Sequence, residues 1–155
     1  MFFELRKRGV FMFVKQISIF VENKPGRLMS VTKVLKEGNI DIKALSIADT
    51  KDFGILRIIV NDTQKALEIL KKADCTVTTT DVIAAGVEDK PGGVADMMQA
   101  LYENQISVEY MYAFAKKIEE KKAFAILRLD NNEKALKVLA DNGIKLLSAE
   151  DITTL

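Results

Sequence analysis

Two copies of one short phrase constrain this chain more than any other feature. The first is Asn23-Lys24-Pro25-Gly26-Arg27-Leu28 and the second is Asp89-Lys90-Pro91-Gly92-Gly93-Val94; together they hold both prolines of the 155-residue sequence. Each follows an alternating apolar stretch and precedes a run of helical periodicity, so each reads as a strand-to-helix turn. Proline fixes φ there, and glycine allows a tight backbone with no Cβ in the way. Such a turn leaves free N–H groups at the start of a helix, which suits a small anion.

The rest of the chain repeats around these turns. Ile17, Ile19 and Val21 alternate within an expected strand at 14–21. Leu28, Val31, Val34 and Leu35 recur at helical spacing, and Gly38-Asn39 ends that helix because both residues tolerate positive φ. Strands are expected at 40–48 and 53–60, joined by a polar turn at 49–52. A helix with Ala66, Leu67, Ile69 and Leu70 follows the N-cap sequence Asn61-Asp62-Thr63, and a strand at 76–80 closes the unit. The second half follows the same order. A strand at 81–87 leads into the second turn and a helix with Val94, Met97, Met98 and Leu101. Strands at 106–115 and 124–129 flank a charged loop at 116–122. A helix with Ala135, Leu136, Val138 and Leu139 precedes a last strand at 144–147.

Direct matches support the duplication. Lys24-Pro25-Gly26 and Ile40-Asp41-Ile42 match Lys90-Pro91-Gly92 and Ile106-Ser107-Val108 at an offset of 66 residues. Ile55-Leu56-Arg57 matches Ile126-Leu127-Arg128 at 71, and Lys65-Ala66-Leu67 matches Lys134-Ala135-Leu136 at 69. The fold class is therefore α+β: two tandem βαββαβ, ferredoxin-like modules, each an antiparallel sheet with its helices on one face. The expected divisions are an extension at 1–13 and modules at 14–81 and 82–155. Modules of about 70 residues lie near the lower size limit for independent stability, so the two are expected to pack together.

Composition narrows the function. Lys and Arg total 23 against 22 Asp and Glu, which argues against a nucleic-acid partner. There is no histidine, so no His-based catalysis or His metal site is available, and no catalytic residue, metal or cofactor is expected. The single Cys75 forms no intramolecular disulfide, and a cytoplasmic setting is the natural reading. No apolar run approaches the ~18–20 residues of a membrane span. The opening residues place basic side chains after the short apolar start, the reverse of a secretory signal.

Polar residues give the turns a possible chemistry. Asn23 ends one strand and Asp41 opens the next after a helix; the second copy has Asp89 and Ser107 there. Convergence of those strand ends would let Asn23 or Asp41 take an ammonium group while the N–H groups of 26–28 take a carboxylate. Tyr110, Tyr112 and Phe114 share one strand face, where the first copy has the small Ala44, Ser46 and Ala48. They read first as an interface between the halves and second as the aromatic wall of a ligand pocket. Arg57 and Arg128 stand at matching places in two apolar strands, and pairing with Asp or Glu is expected for both.

The Asn/Asp-x-Pro-Gly turn opening the first helix of a βαββαβ module resembles the ACT domain, the small-molecule-sensing module of regulated amino-acid enzymes. Two in tandem with no attached catalytic domain look like a stand-alone tandem ACT protein. The resemblance covers 14–153. It implies a non-enzymatic regulator with an amino-acid effector bound between modules, a homodimer, and a metabolic enzyme as partner. Carried over by position, its ligand-binding residues are Asn23, Lys24, Pro25, Gly26, Arg27, Leu28 and Asp41, with Asp89, Lys90, Pro91, Gly92, Gly93, Val94 and Ser107 in the second copy. The competing class is a docking subunit of an enzyme that binds no small molecule. Aromatics are missing from 54–60, a strand that would be central in an RNA-recognition module, and no Cys-x-x-Cys loop supports a metal chaperone.

Overall fold

The computed structural model describes residues 12–48, 51–114 and 122–154. The residues expected to form an N-terminal arm before Met12, and most of the charged loop at 116–122, lie outside that set. The elements run β1 (Phe13–Glu22), α1 (Arg27–Glu37), β2 (Ile42–Ala48), β3 (Phe53–Val60), α2 (Thr63–Lys72), β4 (Val77–Glu88), α3 (Gly93–Glu103), β5 (Val108–Ala113), β6 (Lys122–Leu129), α4 (Asn132–Asp141), β7 (Leu146–Leu147) and α5 (Ala149–Thr153). This is the expected α+β order, twice.

One strand belongs to both halves. Separate strands were expected at 76–80 and 81–87, with the module boundary between 81 and 82. β4 instead runs unbroken through that boundary, because no proline or glycine interrupts the β-branched run before Gly86. Its first part pairs antiparallel with β1 and its second part with β6; Ile83 pairs with Phe13 on one edge and Leu127 on the other. β7 takes Ala84 and Ala85 on the edge that β1 leaves. The sheet order is β2-β3-β1-β4-β6-β5, with β7 beside β4. The extension ends earlier than expected: β1 begins at Phe13, and Met12 is buried in the core of the second half.

The register corrects one of the internal matches. Ser18 pairs with Arg57 in the first half, and its counterpart Ala84 pairs with Ile126. Ser46 pairs with Arg57, and its counterpart Tyr112 again pairs with Ile126. Arg57 is therefore equivalent to Ile126, at the 69-residue offset that relates Lys65 to Lys134, and the Ile-Leu-Arg match at 71 is a coincidence two residues out of register. Only Arg128 finds a carboxylate, from Glu109 at 3.3 Å. Arg57 instead stacks on the ring of Tyr110, 3.9 Å from its centre.

Each half buries one sheet face under its helices. Ile17, Ile19, Leu35, Ile58 and Leu70 form the first core, and Ile83, Leu101, Leu127 and Leu139 anchor the second. Asp62 and Asn131 cap α2 and α4 by accepting from the N–H groups of Lys65 and Lys134. α5, which periodicity did not reveal, begins with a reciprocal capping box between Ser148 and Asp151 and buries Ile152.

The other sheet face forms a third core. The sheet curls until its outermost strands meet at an Ala44–Phe114 bridge. Val14, Ala44, Ile59, Ala84, Phe124 and Ile126 pack inside the curl with Tyr112 and Phe114 against them. Gln16 is fully buried here. Its Nε2 donates to the Tyr110 hydroxyl at 2.8 Å, and the Tyr112 hydroxyl donates to its Oε1 at 2.7 Å. One glutamine of the first half thus ties two tyrosines of the second.

Burial, and then the neighbouring Tyr110, push the Tyr112 hydroxyl above its ordinary value of 10.0, with Arg57 opposing weakly. A raised folded-state value means stability is intact below the unfolded value and falls as pH rises beyond it. Urea melts at pH 9 and pH 11 should show a loss of about 1 kcal/mol that the Tyr112→Phe variant lacks. Equal slopes in the two proteins would contradict this.

Candidate functional site

The first turn is built by short backbone bonds. Lys24 N–H donates to the Glu22 carbonyl at 2.8 Å, and Arg27 N–H to the Lys24 carbonyl at 3.3 Å. Gly26 sits at φ 85°, a left-handed backbone that glycine adopts without steric cost. It precedes α1 with no side-chain cap. No acceptor among the described residues meets the N–H groups of Leu28 or Met29, and the first turn of α1 carries no acidic side chain. A ligand carboxylate would complete this helix end. Asn23 is held by its N–H to the Asp52 carbonyl at 2.9 Å and by its Nδ2 to the Lys51 carbonyl at 3.4 Å, leaving Oδ1 as an acceptor.

Beside this turn lies a hollow of about 620 Å³, lined by Val21, Glu22, Asn23, Lys24, Pro25, Gly26, Leu28, Ile47, Ala48 and Gly54. The turn and the start of α1 form one wall, and the ends of β1, β2 and β3 form the other. Lys24 Nζ lies 3.1 Å and the Arg27 guanidinium 3.3 Å from the Glu22 carboxylate. The hydrogen bond and charge of Lys24, and then Arg27, hold that carboxyl below the usual range. Two cations around one anion leave the turn with a net positive charge.

The structure redistributes the residues expected here. Asn23, Lys24, Pro25, Gly26 and Leu28 meet at the hollow. Arg27 lines a separate hollow of about 450 Å³ on the other side of α1, with Ser30, Asp74 and Cys75. Asp41 does not converge with Asn23. Glu22 pairs with Phe53 at one end of β3, while Ile42 pairs with Val60 at the other, about 23 Å away at ~3.3 Å per residue. β1 and β2 point the same way, so the end of one and the start of the other are on opposite rims. Asp41 binds Lys43 at 2.6 Å instead. The same geometry separates Ser107 from the second turn; its N–H donates to Asp130. Tyr110 and Tyr112 line neither hollow beside the first turn and serve the Gln16 contact. Val21, Glu22, Ile47, Ala48 and Gly54 were not anticipated. A glycine inside the β-branched strand 53–60 was the available signal.

The second turn has the same backbone, with Gly92 at φ 89°, and a different surface. Asp96 stands in the first turn of α3, where it competes with an anion. A Cβ at Gly93 would collide with the Glu88 carbonyl, so Gly93 is required by packing, whereas its counterpart Arg27 has room. Gly93 and Asp96 line a smaller hollow of about 310 Å³. Among the described residues no group of acidic, Cys or His side chains is placed to hold a metal ion, and no helix is long and apolar enough to cross a membrane.

Known proteins place this architecture. The family described as the ACT domain pair matches residues 12–155. The chain belongs to the ACT domain pair family. The crystal structure of protein BT0572 from Bacteroides thetaiotaomicron is 42% identical, covers 93% of this chain and 98% of its own, and superposes with a TM-score of 0.86. The regulatory subunit of aspartate kinase from Thermus thermophilus, in ligand-free form, is 18% identical at a TM-score of 0.60, covering 85% of this chain and 93% of its own. The subunit from Thermus flavus is 17% identical at 0.57, covering 82% and 90%. These last two share the fold. No curated protein matches the sequence. ACT domains are regulatory modules, and this pair has the duplicated order and both Pro-Gly turns.

Gly26→Ala and Gly92→Ala should each cost about 1–2 kcal/mol in urea unfolding, from left-handed strain alone, since nothing lies within 4 Å of either added Cβ. Gly93→Ala should cost more, because the Glu88 backbone must move. Equal costs at all three positions would contradict the difference drawn between the turns.

Proposed function

We propose that this ACT domain pair is a non-catalytic regulator that binds a free amino acid or a similar small metabolite at its first turn. The observation that carries the reading is the hollow itself. It joins an uncapped helix start, the free Oδ1 of Asn23 and an apolar wall in one place. The helix N–H groups take a carboxylate, Asn23 accepts from an ammonium group, and the wall takes a side chain. The regulatory subunits of similar fold are consistent with this role.

Asp41 and Ser107 enter the reading through the interface between halves. The Ala44–Phe114 bridge is antiparallel, so the start of β5 runs toward the end of β2 that lines the hollow. That direction puts Ser107 on the first-turn side of the seam between the halves and Asp41 on the second-turn side. A ligand that prefers one conformational or assembly state shifts that equilibrium, and the shift is the signal. We place the protein in the cytoplasm as a homodimer. The half-exposed Leu45 and Ile47 on outermost strand β2 favour a docking surface, either for a second copy or for a metabolic enzyme whose activity is regulated.

A thermal-shift screen of the purified protein against the twenty amino acids tests the sensor reading. A ligand that binds only the folded state stabilises it by about 2.7 kcal/mol at a hundredfold excess over Kd. A clear rise with one chemical group, reduced by Asn23→Ala, is expected. No rise with any of the twenty would support the docking subunit instead.

A further inference from the structure

The wall of the first-turn hollow carries information about the ligand's side chain. We propose that the hollow selects an amino acid with an uncharged aliphatic side chain, and that Gly54 shapes the site by seating Ile47 in its wall. This rests on the reading that the hollow takes a free amino acid.

The polar groups gather at one end. Glu22 and Lys24 are paired with each other, so neither offers an unpaired charge to a ligand side chain. Away from the turn, the wall is Val21, Leu28, Ile47, Ala48 and Gly54. Leu28 is 42% exposed and Ile47 50% exposed, large apolar side chains that face the hollow and water together. Gly54 lies directly across from Val21 on the neighbouring strand. It is buried, and the room a side chain would take there is filled by Ile47, which lies against it. A Cβ there would sit 3.3 Å from the Ala48 carbonyl oxygen and 3.4 Å from the Ile47 side chain, so alanine crowds both and valine displaces Ile47 from its seat in the wall. In the second half the strand residue facing the equivalent valine is Ala123, and Val94 replaces Leu28. That half lacks both the glycine and the longer roof.

Calorimetric titration of the full-length protein tests the assignment with leucine, isoleucine, valine, methionine, 2-aminobutyrate and alanine. Serine, aspartate and lysine provide the contrast. Each added methylene that reaches the wall should lower Kd about fourfold. Serine, aspartate and lysine should bind at least about tenfold more weakly than leucine, between one and two such methylene steps. Gly54→Val should erase the leucine-over-alanine preference. Ile47→Ser, at an exposed position that leaves the fold intact, should reduce leucine binding and spare alanine. Charged or hydroxylated amino acids binding as tightly as leucine would overturn the assignment while leaving the sensor reading in place. An unchanged ladder in Ile47→Ser would do the same. No binding by any free amino acid would overturn both.

Discussion

β4 holds the molecule together. Twelve residues long, it supplies the fourth strand of the first module and the first strand of the second. Modules of about 70 residues have little core of their own, and fusing them through one strand lets each support the other. Continuous backbone pairing across β4 fixes how the halves are rotated, and sheet twist then curls the inner faces toward one another. The third core and the Ala44–Phe114 bridge follow from that curl. So does the burial of Gln16, a polar side chain tolerable only because both its amide groups find tyrosine hydroxyls.

The same arrangement makes the duplicated turns unequal. Both keep the left-handed glycine and the same backbone bonds, because the strand-to-helix geometry demands them. Around the second, Asp96 and the steric demand at Gly93 adapt the surface to packing. Neither helix start has a side-chain cap, but the first turn of α1 carries no acidic side chain, and a hollow lies between it and the ends of β2 and β3. Duplication has thus left the second turn shaped by packing and the first beside an open hollow.

Much of this was legible in the residues. The Pro-Gly turns, the order of elements and the small-against-large relation of Ala44 and Ser46 to Tyr110 and Tyr112 all emerge from sequence. The register of β6 does not. A two-residue slip keeps every side chain on its own face, so the apolar pattern is blind to it, and the accidental Ile-Leu-Arg identity points to the wrong alignment. The fusion of β4 was obscured because a repeat invites a cut, although the residues around Thr80 and Asp81 hold no turn signal. Asp41 was misplaced for a different reason. Parallel β1 and β2 put the end of one far from the start of the other, and only the strand directions reveal it. Gly54 was visible as a glycine in a strand, but its role depends on what lies across from it.

The central claim is that a ligand engages the first turn and the adjacent ends of β2 and β3 while the second turn remains structural. Hydrogen–deuterium exchange with and without saturating leucine tests it most directly, because slowed exchange maps where the backbone is stabilised. The account predicts protection concentrated at residues 22–30 and 45–55, with little change at 88–96. Protection centred on 88–96, or equal at both turns, would contradict it.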